Sequence, residues 1–106
     1  GKMRMKNLDT LDHIAIQVNN IEKSLSWYID NFSCKEIYSD ETWAFIQFKN
    51  LKLALVSNNQ HPNHFAILDN KVDNKGSSVK HRDGSSSVYI KDIDGNYIEL
   101  ICYNNK

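Results

Sequence analysis

Apolar and polar residues alternate along Leu11-Asp12-His13-Ile14-Ala15-Ile16-Gln17-Val18. Ile14, Ile16 and Val18 fall on one side, and His13, Ala15 and Gln17 on the other. A period of two predicts a strand. Asn19 and Asn20 supply a turn and a helix N-cap. From Ile21 to Asn31 the period changes: Ile21, Leu25, Tyr28 and Ile29 stand near helical spacing, with Trp27 flanking the stripe. Three short strands are then predicted, over Cys34–Ser39, Trp43–Phe48 and Leu51–Val56, with Asn50 at the last turn.

The second half resembles the first. A polar linker, 58–63, carries the only proline, Pro62, and the pattern His64-Phe65-Ala66-Ile67-Leu68 then echoes His13-Ile14-Ala15-Ile16 at an offset of 51 residues. Ser87–Lys91 and Tyr97–Ile101 read as strands, joined by a Gly95-containing hairpin turn over Asp92–Asn96. A two-fold repeat with mostly adjacent strands and one helix per half predicts an α+β fold of paired βαβββ modules. The expected layout is a tail (1–10), a first module (11–57), the linker and a second module (64–106), all within one domain. Asp69 to Val79 is polar, holds Gly76, Ser77 and Ser78, and shows no apolar helical stripe. The second-module helix is therefore expected to be shortened or missing.

The chain has 106 residues, with 13 basic and 13 acidic side chains. That length gives one domain with a thin core. The charges cancel and form no basic stripe, so no nucleic-acid partner is expected. No apolar run approaches the roughly 18 residues of a membrane span. Cys34 and Cys102 form neither a C-x-x-C pair nor a disulfide framework, which fits reduced thiols and a cytoplasmic setting.

The repeat changes the reading of two histidines. A lone strand histidine is usually a satisfied core or edge residue. His13 and His64, however, each open a strand at the same place in two repeats, and a pseudo-two-fold packing would bring their rings together. Glu99 lies on a late strand of the second half that can reach the same concave face. Two His and one carboxylate make an open-sided site for a divalent cation.

The segments Leu11–Val18 and Ser24-Leu25-Ser26-Trp27-Tyr28 resemble the opening "His-x-x-x-x-V…S-x-x-F-Y" of the vicinal-oxygen-chelate superfamily, which spans glyoxalases, bleomycin-resistance proteins and extradiol dioxygenases. Asp92-Ile93-Asp94-Gly95-Asn96-Tyr97-Ile98-Glu99-Leu100 resembles its ending "D-P-D-G-x-x-[IL]-E-[LF]", with Ile93 in place of proline. The resemblance implies a half-open mixed β-barrel and a divalent metal (Mn, Zn, Ni or Fe) on His13, His64 and Glu99. Its fourth ligand position falls on Ala54, which cannot bind metal, so a three-ligand site is implied.

Within the superfamily the pattern is most similar to the fosfomycin-resistance thiol transferases. Lys80-His81-Arg82-Asp83-Gly84-Ser85-Ser86-Ser87-Val88-Tyr89 resembles their phosphonate-holding loop, which implies substrate contacts from Lys80, Arg82, Ser87 and Tyr89, alongside Trp43 and Phe45. Two departures are Ala15, where those enzymes carry Thr, and Lys52, where they carry an aromatic residue. The implied activity is Lewis-acid catalysis on a small oxygen-bearing substrate, as a fosfomycin-type thiol transferase or a glyoxalase-like lyase. Asp12, His61 and His81 are possible acid–base groups, and no spacing selects among them. The resemblance also implies a homodimer in which His13 of one chain joins His64 and Glu99 of the other. Two rival readings stand beside this one. A non-catalytic drug-binding protein of the bleomycin-resistance type would use an aromatic groove of Trp27, Trp43, Phe45 and Tyr89. A small iron oxygenase would use the same triad.

Overall fold

The computed structural model describes residues 7–70, 79–80 (backbone alone) and 85–103. The elements run β1 (Leu11–Val18), α1 (Ile21–Asn31), β2 (Lys35–Ser39), β3 (Trp43–Gln47), β4 (Lys52–Ser57), β5 (His64–Leu68), β6 (Val79–Lys80), β7 (Ser85–Lys91) and β8 (Tyr97–Tyr103). The eight described strands form one mixed sheet, in the order β2-β3-β4-β1-β5-β8-β7-β6.

That order is a repeat reflected about its centre. In the first half β1 pairs β4 in parallel, and β4, β3 and β2 follow antiparallel. In the second half β5 pairs β8 in parallel, followed by β7 and β6 antiparallel. The halves join through the antiparallel β1–β5 pair, where Ile14 lies opposite Phe65, its own equivalent in the repeat. The pseudo-two-fold axis therefore passes through that pair. His13 and His64 sit symmetrically about it, opposite Ala66 and Ala15. The mixed, unclosed sheet with one described helix fits the α+β class that the sequence predicts and is compatible with paired βαβββ modules.

Helix α1 carries the crossover that two parallel strands require. Asn20 caps it, its Oδ1 accepting from Lys23 N–H at 2.8 Å. The helix stops at Phe32, whose backbone is extended. Its apolar stripe covers one face of the first half, where Ile21, Ala44, Ile46 and Leu55 are buried with Ile16, Leu25 and Tyr28 against them. Burial of Ile46 and Leu55 contributes roughly 1.5–3 kcal/mol each. The opposite face buries Ala15, Ala54 and Val56, with Trp43 and Phe45 packed on them. The two faces thus divide labour, one serving the core and the other the site.

Among the described residues α1 is the single α-helix. Residues 71–78, where a second helix would stand, lie outside the described residues. Strand β6 escapes sequence reading because two residues cannot show an alternation. The turn between β7 and β8 is built by Asp92, whose carboxylate accepts from the backbone N–H groups of Asp94 and Asn96 and from the Asn96 side chain, each at 2.9 Å. Gly95 there takes φ +89°, a conformation that favours glycine.

Candidate metal centre

Strands β1, β5 and β8 are consecutive in the sheet, and each contributes one buried polar side chain to the open face. His13 Nε2 lies 3.3 Å from Glu99 Oε1, and His64 Nε2 lies 3.2 Å from the same oxygen. The imidazole centroids are 6.0 Å apart. One ligand atom from each of the three residues falls within 4.8 Å of the others. All three come from one chain, so a second chain is not required to assemble the triad.

Both imidazoles are held from behind. His13 Nδ1 lies 2.7 Å from Asp12 Oδ2, and His64 Nδ1 lies 2.7 Å from the Pro62 carbonyl oxygen. Each acceptor calls for a proton on Nδ1, which leaves the lone pair on Nε2. Two Nε2 lone pairs then face one carboxylate oxygen, an arrangement that repels unless a cation lies between them. A proton on a ring or a divalent metal satisfies it, and the His–His–Glu donor set suits a first-row divalent ion.

The electrostatics follow from burial and these partners. Burial pushes Asp12 up, but hydrogen bonds from His13 and Tyr103 and the hydrogen bond and charge of Lys52 outweigh it, so its pKa is lowered to about 2. Burial likewise opposes charge on His13, yet hydrogen bonds to Asp12 and Glu99 raise its pKa above the ordinary 6.5. Burial also raises Glu99, but its hydrogen bonds with His13 and His64 prevail and hold it well below the usual carboxylate range. Tyr89 is pushed up by burial and by the Glu99 charge, so its hydroxyl keeps its proton.

The triad lies in a cavity of about 700 Å³. Trp43, Phe45, Ala54, His61, Ser85 and Tyr89 are among its lining residues, with Ile37 and Tyr38 from β2. Rings run in series along one wall. Tyr38 and Trp43 centroids are 5.1 Å apart, Trp43 and Phe45 5.1 Å, and Phe45 meets the His13 ring edge-on at 5.2 Å. Ala54 is the repeat equivalent of Glu99, since each is third along a strand whose first residue pairs with, or directly under, the matching histidine. It offers a methyl group where its counterpart offers a carboxylate.

The other sequence candidates fall as follows. Ser87 is buried on the same side of β7 as Tyr89 but does not line the cavity. Lys80 is described by its backbone alone, in β6, and Arg82 and His81 lie outside the described residues. Trp27 lies on α1 against Tyr28 and Phe32, apart from the cavity lining. His61, which reads as linker, lines the cavity, with Nδ1 3.4 Å from the Tyr89 hydroxyl. That hydroxyl is also 3.5 Å from His64 Nε2. Sequence reasoning did not bring in Tyr103, whose hydroxyl donates to Asp12 Oδ2 at 2.6 Å across 91 residues, and no local pattern marks such a contact.

The chain has the fold seen in the glyoxalase/bleomycin resistance protein/dioxygenase superfamily. A superfamily member from Vibrio splendidus superimposes with a TM-score of 0.65 at 12 % identity, covering 88 % of this chain and 99 % of that one. A hypothetical protein from Bacillus halodurans superimposes at 0.73 with 17 % identity, covering 94 % and 98 %. A Legionella pneumophila protein described as an NAD-dependent benzaldehyde dehydrogenase gives 0.66 and 20 %, covering 86 % and 97 %. Identities this low establish the fold alone. No family model and no curated protein matches the sequence. No described helix is long and apolar enough to cross a membrane.

Proposed function

We propose that this chain is a metal-dependent enzyme of the vicinal-oxygen-chelate type, acting on a small oxygen-bearing substrate. One observation carries the reading: two imidazoles with fixed Nδ1 partners aim Nε2 at one oxygen of Glu99 inside an open cavity. His13, His64 and Glu99 would hold the ion. When bound, a divalent metal supplies Lewis acidity that stabilises negative charge growing on a substrate oxygen. The chain's own residues supply the rest. Asp12 and the Pro62 carbonyl fix which ring nitrogen each histidine presents. Tyr89, kept protonated by its surroundings, offers an O–H donor beside His64. The Tyr38–Trp43–Phe45 wall orients an apolar substrate body and excludes water.

Among candidate reactions, thiol addition of the fosfomycin type ranks before a glyoxalase-like step. The latter needs a base, and Ala54 leaves Glu99 as the one carboxylate of the triad. Asp40, also at the cavity, is already engaged by Thr42 and Trp43. The proposal includes a homodimer pairing two complete sites, and a reducing cytoplasmic setting supported by the free thiols of Cys34 and Cys102.

Purified protein should take up one equivalent of Mn(II), Co(II) or Zn(II) by calorimetry. His64→Ala and Glu99→Gln should each weaken uptake at least about 10-fold. Absence of stoichiometric metal, with ligand binding unchanged in His64→Ala, would overturn the enzyme reading in favour of a metal-free binding protein. Phosphorus NMR of the Mn(II)-loaded protein with fosfomycin and a small thiol tests the finer claim. A metal-loaded protein that leaves fosfomycin intact removes that substrate and keeps the broader reading. Light scattering should give twice the chain mass.

A further inference from the structure

His13 and His64 are equivalent in the repeat, yet their supports are not. The register of β1 against β5 slips between Leu11 and His13, so Asp12 is an extra residue in the strand. Strict alternation would send Asp12 to the face opposite His13. The bulge re-aims it, and its carboxylate ends up 2.7 Å behind the His13 ring. Three groups hold it there. Besides His13, Tyr103 of the second half donates to Oδ2 at 2.6 Å, and Lys52 Nζ lies 3.0 Å from Oδ1. The Lys52 ammonium also lies 5.2 Å from the ring centres of both Phe45 and Tyr103. Asp12 itself is 8 % exposed, too buried to serve as a solvated surface charge. In the second half the position equivalent to Asp12 is Asn63, and its side chain is spent on the Gln17 backbone N–H at 2.7 Å.

We infer that Asp12 is a positioning residue: a bulge-borne carboxylate that fixes His13 with its proton on Nδ1 and its Nε2 turned to the metal position, with Lys52 and Tyr103 as its anchors. This rests on the metal reading above for its purpose, but its geometry can be tested without metal. Lys52, at a position where the resemblance implies an aromatic residue, thereby has the task of anchoring Asp12. A carboxylate on the far nitrogen raises the basicity of a ligating imidazole, and its loss commonly weakens metal binding by about 10–100-fold.

The test compares Asp12→Ala and Asp12→Asn with the wild type. Nitrogen-15 NMR of the imidazoles in metal-free protein, at alkaline pH where the rings are neutral, reads the tautomer directly. Wild-type His13 should carry its proton on Nδ1. Asp12→Ala should shift it toward the Nε2-protonated form, while His64 stays unchanged. Asp12→Asn, which keeps an acceptor oxygen, should restore the wild-type tautomer at least in part. Co(II) affinity should fall about 10–100-fold in Asp12→Ala, less in Asp12→Asn, and the visible Co(II) spectrum should change. A wild-type His13 protonated on Nε2, or a tautomer indifferent to Asp12→Ala, would overturn the inference. If Asp12→Ala does not fold, the outcome rests on wild type and Asp12→Asn, and an Nε2-protonated wild-type ring still refutes it. Wild-type protein that takes up no metal refutes the functional reading, while the tautomer measurement still decides the role of Asp12.

Discussion

Glu99 Oε1 is shared by two ring nitrogens, and the metal-free chain must supply the positive charge between them. Hydrogen bonds to Asp12 and Glu99 outweigh the burial of His13 and raise its pKa, so its proton can supply that charge. A histidine with a raised folded-state pKa stabilises the fold fully below its unfolded value of 6.5, and that contribution is lost as pH rises through the folded value. Asp12 and Glu99 act in the opposite sense. Their pKa values are lowered, so their contributions are present above 3.8 and 4.5 and are lost as pH falls toward the folded values, about 2 for Asp12. These three groups together predict greatest metal-free stability between about pH 4.5 and 6.5. Urea unfolding of chelator-treated protein across a pH series checks it. Saturating Zn(II) should remove the alkaline decline, because the metal takes the place of the proton. A metal-free stability that rises steadily from pH 6.5 to 8.5 would contradict the assignment of His13.

At the scale of elements, the strand that carries Glu99, β8, follows a turn tied together by the Asp92 carboxylate. Gly95 has φ +89°, and a Cβ there would meet nothing within 4 Å. Gly95→Ala therefore costs only the backbone preference, about 1–2 kcal/mol, readable as a lower urea midpoint with unchanged slope. A loss well beyond that would mean that Gly95 does more than permit the turn. The turn was legible in sequence, as were β1, α1 and β5, because their periodicity is long or their punctuation strong. The three proposed ligands were legible too, since the repeat places two of them and the ending motif the third. The bulge at Asp12 was not. Alternation along Leu11–Val18 puts Asp12 on the wrong face, and only the partner strand reveals the slipped register. Tyr103 was hidden for the same reason, its partner Asp12 lying 91 residues away on another strand, and His61, named among the acid–base candidates, could not be told from linker until Tyr89 stood beside it. Lys52, a departure from the resemblance when read alone, becomes intelligible only beside Asp12.

At the scale of the whole molecule, the candidate ligands straddle the seam between the modules. His13 lies on β1 of the first half, and His64 and Glu99 lie on β5 and β8 of the second. Across that seam the described backbone pairing is that of β1 with β5. An ion held by all three would tie the halves together and bind the folded chain far better than the unfolded one. Free metal at about 100 times its dissociation constant should then add about 2.7 kcal/mol of stability. For a domain of this size that is a rise in Tm of roughly 10 °C or more. The rise should grow with the logarithm of metal concentration and be abolished by chelator. In His13→Ala it should be largely lost, because the two remaining donors both belong to the second half. A His13→Ala variant that keeps the full shift would place the ion within the second module alone, and the seam would then owe its stability to the β1–β5 pairing and the Asp12–Tyr103 contact.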